Sequence, residues 1–326
     1  IKKLDLQEND LSFADLDFIV KLEYLEVLNL QNCKIGLNGL VIFSNAKSHL
    51  SLLELNLGYN ILSASDILAI NCFSTMRFLD LRNTKLEEGK FSFLRCEQLK
   101  KCLSVLILAQ NNLDYEDVYN LSTFENLRKL DLSYSIRKPD LIYLFKNSCI
   151  SKSLEFLDLS FCKLNANDIL GILKCRNLLF LILKCCNLKY EIIFLQKIIK
   201  NIFKIPTIRF LCISHCNLPK NALDIAEFST KYLNILHLNG NTISKKGFDF
   251  ICNSLKLKEL SVSMCRFRFR FLKSLLEKPI METLEIFKAK CNLCHSEDLI
   301  NFYSSANEIE YYFMKCRDES GQIVEF

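Results

Sequence analysis

The amino-acid sequence predicts an α/β solenoid, a parallel sheet backed by short helices, and three observations carry that reading. A short apolar pattern recurs every 24 to 27 residues through most of the 326-residue chain, and self-similarity at a fixed period is the mark of a repeat architecture. The pattern is clearest in Leu154-Glu155-Phe156-Leu157-Asp158-Leu159-Ser160-Phe161-Cys162-Lys163-Leu164, where apolar residues fall at places 1, 4, 6 and 11 and a cysteine at place 9. Two more apolar residues follow five and eight positions after place 11, the i, i+3 spacing of a helix's inner face. Half the residues are hydrophobic, so a long core is available, and no stretch has the composition of a linker.

Repeats begin at Ile1, Leu25, Leu52, Met76, Leu103, Leu127, Leu154, Leu178, Ile208, Leu233, Leu257 and Leu284, with a degenerate last strand from Ile309, which makes about 12–13 repeats. Through the first seven the spacing alternates between 24 and 27, so the structural unit is a pair. Places 4 and 6 face the core and places 3, 5 and 7 face outward, as strand alternation requires. At place 9 stand Asn9, Asn60, Asn111 and Asn241, or Cys33, Cys162, Cys186, Cys216 and Cys265. A buried Asn there can pair backbone groups of the turn after the strand, and a thiol does so more weakly. The helix-face pairs are Leu16/Ile19, Leu40/Phe43, Ile67/Ile70, Phe91/Leu94, Val118/Leu121, Ile169/Ile172, Phe248/Ile251 and Leu299/Phe302. Ser12-x-x-Asp15, Ser63-x-x-Asp66, Asp114-x-x-Asp117 and Asn165-x-x-Asp168 have the form of capping boxes, with Asp in place of Glu.

Two repeats depart from the pattern. The sixth has Ser135 and Arg137 where Asn/Cys and Leu belong, followed by Pro139, and a local distortion is expected there. The eighth is longest, at 30 residues, with its extra length in 190–204. Residues 1–326 are expected to form one domain, and residues 294–326 a C-terminal capping region whose terminal hairpin covers the last open sheet edge.

This pattern resembles the leucine-rich repeat superfamily over essentially the whole chain. Repeat length, helices and Cys at place 9 make it most similar to the ribonuclease-inhibitor and cysteine-containing subclasses. The resemblance implies a horseshoe with a concave sheet and convex helices, a non-catalytic scaffold that binds a protein partner on its concave face. Those subclasses include the ribonuclease inhibitors, the activators of the Ran GTPase and the substrate-receptor halves of F-box ubiquitin-ligase subunits. The chain opens inside a repeat, at Ile1-Lys2-Lys3-Leu4, so a preceding segment such as an F-box or a signal peptide is expected.

A formal charge of +5 is modest for this length and does not by itself point to nucleic acid. No apolar run reaches the roughly 18 residues of a membrane span. Sixteen cysteines spread along the repeats, with one Asn-x-Ser/Thr site at Asn120, favour a reducing compartment, cytoplasmic or nuclear, over secretion. A monomer, or a subunit of a larger complex, is expected.

The informative surface is the concave one. It is polar in the early repeats, at Asp5, Gln7, Asn29, Gln31, Glu54 and Asn56, and turns aromatic and apolar at Tyr134, Phe156, Phe161, Phe180, Ile182, Phe210 and Cys212. A contiguous apolar patch with aromatic residues is the usual signature of a partner site. Arg266-Phe267-Arg268-Phe269-Arg270-Phe271 interleaves basic and aromatic residues, a secondary basic patch at Arg266, Arg268 and Arg270. Part of its aromatic content belongs to the core by register, and nucleic acid is disfavoured as a partner. Cys291-x-x-Cys294-His295 and Cys212-x-x-His215-Cys216 offer at most three metal ligands each, and the register already uses Cys216 and Cys294 in the core, so no metal and no cofactor is assigned. His215 and His237 fall on adjacent strands, but no nucleophile with an orienting carboxylate is placed beside them, and no catalytic residue is assigned.

Overall fold

A computed structural model of the chain describes residues 1–45, 51–86, 91–138, 141–145, 148–188, 192–225, 232–266, 275, 277–290, 292, 310–312, 316–317 and 323–324. It divides into two compact units, Ile1–Asn177 and Leu178–Phe326. Each is a solenoid of strand-plus-helix repeats.

In the first unit seven three-residue strands lie parallel and in chain order: β1 (Lys3–Asp5), β2 (Val27–Asn29), β3 (Glu54–Asn56), β4 (Phe78–Asp80), β5 (Val105–Ile107), β6 (Lys129–Asp131) and β7 (Phe156–Asp158). The register pairs the place-4 leucines in one row, Leu4, Leu28, Leu55, Leu79, Leu106, Leu130 and Leu157. From Leu28 onward each is at most 1% exposed, and burying a side chain of this size contributes about 1.5–3 kcal/mol.

Helices alternate with repeat length. The 24-residue repeats carry α1 (Phe13–Ile19), α2 (Ala64–Ala69), α4 (Tyr115–Leu121) and α6 (Ala166–Ile172), and all four expected capping boxes are formed. The intervening 27-residue repeats carry 3-10 turns at Gly39–Asn45, Ser92–Arg95 and Leu141–Phe145, the last two followed by α3 (Glu97–Cys102) and α5 (Ser148–Ser153). The capping aspartate joins the two kinds. Asp66 accepts from its own cap at Ser63 N, 2.7 Å away, and also from Asn38 N at 2.9 Å and Leu40 N at 2.8 Å, at the start of the preceding 3-10 turn. Asp168 reaches Ile142 N in the same way, at 2.9 Å. Each described helix-face pair is buried; Leu299/Phe302 lie outside the described residues.

Place 9 forms a ladder under the sheet. Its side chain donates to the place-6 carbonyl of the repeat before: Cys33 to Leu6, Asn60 to Leu30, Asn111 to Leu81 and Cys162 to Leu132. An Asn also accepts from the place-9 N–H of that repeat, as Asn60 does from Cys33 N at 3.0 Å. The sixth repeat does not break the ladder. Ser135 is fully buried and its hydroxyl donates to Leu108 O at 2.6 Å, while Ile136, 3% exposed, takes the core position one residue ahead of Arg137 and bridges Leu113. The distortion expected there is thus a one-residue shortening of the turn.

Place 8 is left-handed wherever it is described: Glu8, Asn32, Tyr59, Asn83, Gln110, Tyr134 and Phe161 here, and Cys185, His215, Gly240 and Met264 in the second unit, with φ between 50° and 66°. A tight turn straight after the strand demands it, and only Gly240 meets the demand without a Cβ.

The second unit repeats the plan with parallel strands β8 (Phe180–Ile182), β9 (Phe210–Cys212), β10 (Ile235–His237), β11 (Glu259–Ser261), β12 (Ile286–Lys288) and β13 (Glu310–Tyr312). The extra length of the eighth repeat is α7 (Ile192–Phe203), and α8 (Lys245–Ser254) backs the tenth. The ladder continues from Cys216 to Leu183, Asn241 to Ile213, Cys265 to Leu238 and Asn292 to Val262, the last in agreement with a twelfth repeat starting at Leu284. Within the expected capping region β14 (Cys316–Arg317) and β15 (Ile323–Val324) pair antiparallel.

Candidate functional site

The strand face is built by places 3, 5, 7 and 8. In the first unit place 5 holds Asp or Asn on every strand but β5, and its role is structural. Its side-chain oxygen accepts from the N–H two residues on: Asp5 from Gln7, Asn29 from Gln31, Asn56 from Gly58, Asp80 from Arg82, Asp131 from Ser133 and Asp158 from Ser160, at 2.8–3.2 Å. These turns prepare the left-handed place 8 that follows.

Where place 8 is aromatic, the turn raises a ring into solvent. Tyr134 and Phe161, one strand apart, stack with centroids 4.0 Å apart and planes 14° apart, yet they stay 49% and 38% exposed. Each of the two side chains in left-handed conformation costs roughly 1–2 kcal/mol, and their single stack returns only about 0.5–1.5 kcal/mol. Phe156, at place 3, is half-buried beneath the Lys129 ammonium, 4.7 Å from the ring centroid. Along the rim, Tyr134 also borders a polar groove of about 730 Å³ with Asn83, Lys85, Gln110, Asn112 and Arg137, a feature the sequence reading did not anticipate.

In the second unit Phe180 is 38% exposed and its ring lies 6.0 Å from that of half-buried Phe210. Phe210 meets the edge of the His237 ring at 5.1 Å, and Ile182 is half-buried beside them. Cys212 departs from expectation. Its register is outward, but it is only 6% exposed, because a short side chain at place 5 is shaded by larger neighbours one strand spacing away. It belongs beneath the apolar surface rather than on it. Among the described thiols Cys149 is exposed, and Cys72, Cys96, Cys102 and Cys185 are half-buried.

Around Cys212 the structure assembles groups that the sequence reading left apart. Cys212 and His237 are register partners across β9 and β10, which sets thiol beside imidazole, and the thiol donates to Ser214 Oγ at 3.5 Å. His237 Nε2 lies 2.9 Å from Glu259 Oε1 on β11, and Lys288 Nζ on β12 donates to the same oxygen at 2.6 Å. Places 5, 5, 3 and 5 of four successive repeats hold the four residues, so the spacing contained the signal. Burial pulls the Cys212 thiol up, but its interactions with His237 and Ser214 outweigh it and leave its pKa below the ordinary value. Burial would depress His237; contact with Cys212 and Glu259 raises it instead. Glu259, drawn up by desolvation, is held below the usual carboxylate range by Lys288 and His237. His215 does not join: its ring covers Gly240, where any Cβ would collide with it.

Arg266 borders a second rim groove of about 590 Å³ with His215, Asn217, Thr242 and Met264. Arg268 and Arg270 lie outside the described residues, as do Cys291, Cys294 and His295. Among the described residues no group of three His, Cys, Asp or Glu is arranged to hold a metal ion, and no helix is long and apolar enough to cross a membrane.

Strand, left-handed turn, buried Asn/Cys ladder and backing helix together define a leucine-rich repeat solenoid. The family model described as "Leucine Rich repeat" matches residues 21–43. No curated protein matches the chain by sequence. Among solved structures the chain is similar to one chain of the crystal structure of the Rad7 and Elc1 complex in yeast. The two are 17% identical with a TM-score of 0.60, and the match covers 95% of this chain and 80% of that one.

Proposed function

We propose that the protein is a non-catalytic scaffold that binds a protein partner through its strand face, and that its repeats belong to the ribonuclease-inhibitor-like, cysteine-containing subclass. The alternation of 24- and 27-residue repeats and the thiols on the place-9 ladder support the subclass. The observation that carries the binding role is the Tyr134–Phe161 stack, two rings held in solvent on strained turns that contribute little to the core. Aromatic side chains in this setting are the commonest anchors of protein interfaces. In the second unit Phe180, Ile182 and Phe210 offer a further apolar surface on the same face of the strands. The structure with the same fold comes from a complex of two proteins, which agrees with a protein partner.

Capture of partners from a lysate on the immobilised chain, identified by mass spectrometry, tests the proposal. Tyr134→Ala with Phe161→Ala is expected to keep the melting temperature within a few degrees and to lose the captured protein. The exposed pair Gln7→Ala with Glu54→Ala should retain it. A folded aromatic double variant that still captures the same protein at the same level refutes the assignment of these rings.

A further inference from the structure

Apart from the exposed Cys149 and from Cys212, the eleven other cysteines whose side chains are described are buried or half-buried, and those on the ladder share one chemistry. The ladder thiols of Cys162, Cys216 and Cys265 each donate to a buried carbonyl, which stabilises the protonated form, and burial pushes Cys162 up to about 11 and Cys216 and Cys265 up to about 12. Such thiols are inert. Cys212 faces a base instead. It is the register partner of His237 on the next strand, its thiol donates to Ser214 Oγ at 3.5 Å, and Glu259 holds the His237 ring at 2.9 Å. Lys288 in turn anchors Glu259. A nucleophile, a base and an orienting carboxylate with its own counter-charge therefore lie on four consecutive strands of one unit.

We infer that Cys212 is a peroxide-reactive thiol, a modification site on the strand face that takes hydrogen peroxide or a comparably small uncharged hydroperoxide. The size limit follows from access: at 6% exposure, with Ile182 and Phe210 half-buried around it, the sulfur admits a small reagent but not a peptide. In the step itself His237 holds the thiol proton as an imidazolium. The thiolate attacks one peroxide oxygen, an S–O bond forms and the O–O bond breaks. The leaving hydroxide takes the proton from His237 and departs as water. Sulfur is oxidised by two electrons to the sulfenic acid, the peroxide is reduced, and His237 ends neutral. The inference does not depend on the identity or existence of a protein partner.

The test treats the full chain at pH 7 with a few equivalents of hydrogen peroxide, traps sulfenic acid with dimedone and ranks the cysteines by peptide mass spectrometry. If exposure governed, Cys149 would react first, followed by the half-buried Cys72, Cys96, Cys102 and Cys185; the inference expects Cys212 ahead of all five. His237→Asn should slow trapping at Cys212 roughly tenfold or more by removing the thiolate's partner, and Glu259→Gln should slow it less. If His237→Asn fails to fold, the wild-type ranking and Glu259→Gln still decide. Trapping at any of those five ahead of Cys212, or an unchanged rate in a folded His237→Asn protein, overturns the inference.

Discussion

Replacing Asn60 with alanine separates the ladder's contribution from that of general packing. Asn60 is 1% exposed and serves the preceding repeat with both ends of its amide: Nδ2 donates to Leu30 O at 2.7 Å, and Oδ1 accepts from Cys33 N at 3.0 Å. Alanine leaves that carbonyl and that N–H without their side-chain partner, and a buried group so deprived costs about 1–3 kcal/mol. Asn60→Ala should therefore destabilise by about 3–4 kcal/mol. Asn111 looks equivalent in sequence, but two hydroxyls back it up. After Asn111→Ala, Leu81 O keeps the Thr84 hydroxyl at 2.9 Å and Leu108 O keeps the Ser135 hydroxyl at 2.6 Å. Only Thr84 N, 3.2 Å from Asn111 Oδ1, loses its acceptor, so the cost falls to about 1–2 kcal/mol. Gln110→Ala should be near neutral, since both residues carry a Cβ through the same left-handed turn at φ 58°. Urea unfolding followed by circular dichroism measures all three. With a slope of about 2 kcal/mol/M, the Asn60 midpoint should fall by about 1.5–2 M and the Asn111 midpoint by about 0.5–1 M. Equal shifts for the two asparagines, or a larger one for Asn111, would refute the reasoning.

Two further outcomes follow from side chains that join neighbouring repeats. Asp66→Ala removes acceptors from Ser63, Asn38 and Leu40 and should cost about 2–4 kcal/mol, whereas Asp15→Ala loses only the exposed cap at Ser12 and should cost about 1 kcal/mol. Amide hydrogen exchange at Leu40 should rise in the first variant alone. Glu259 has a folded-state pKa below its ordinary value, so its contribution is present above that value and is lost as the pH falls through the folded one. The gap in melting temperature between wild type and Glu259→Gln should therefore be widest near neutrality and should close as the pH falls below about 4.5, the unshifted carboxylate value. A gap that is constant from pH 7 to pH 3 would show that the carboxylate's charge does not stabilise the fold.

Much of the fold was legible because each repeat states the same physics again. Strand alternation placed the leucines, a polar atom at a buried place implied the ladder, and Ser-x-x-Asp or its equivalents marked the helix starts. The choice between α-helix and 3-10 turn was less legible, since it depends on Asp66 and Asp168 reaching into the repeat before, an interaction between residues more than twenty positions apart. The left-handed place 8 was missed because Glu, Gln, Tyr and Phe are poor sequence markers for it; here the strand pairing and the place-5 oxygens impose it. The same oxygens explain why Asp and Asn recur on the early strands, which the sequence marks only as polar: they are turn supports. At the site, the sequence identified the aromatic positions but assigned Cys212 to the surface. Exposure of a short side chain depends on its larger neighbours, and the His237–Glu259 contact beside it depends on rotamers as well as register.

The aspartate shared between repeats gives the array a direction in time. Asn38 N emerges from the ribosome 28 residues ahead of the carboxylate that accepts from it. At about 5–20 residues per second that is a wait of roughly 1–6 s, during which the 3-10 turn must rely on water for its first N–H groups. A 27-residue repeat therefore cannot be finished by its own residues, while the 24-residue repeat that follows closes its own helix and its predecessor's turn together. Synthesis thus adds settled structure two repeats at a time.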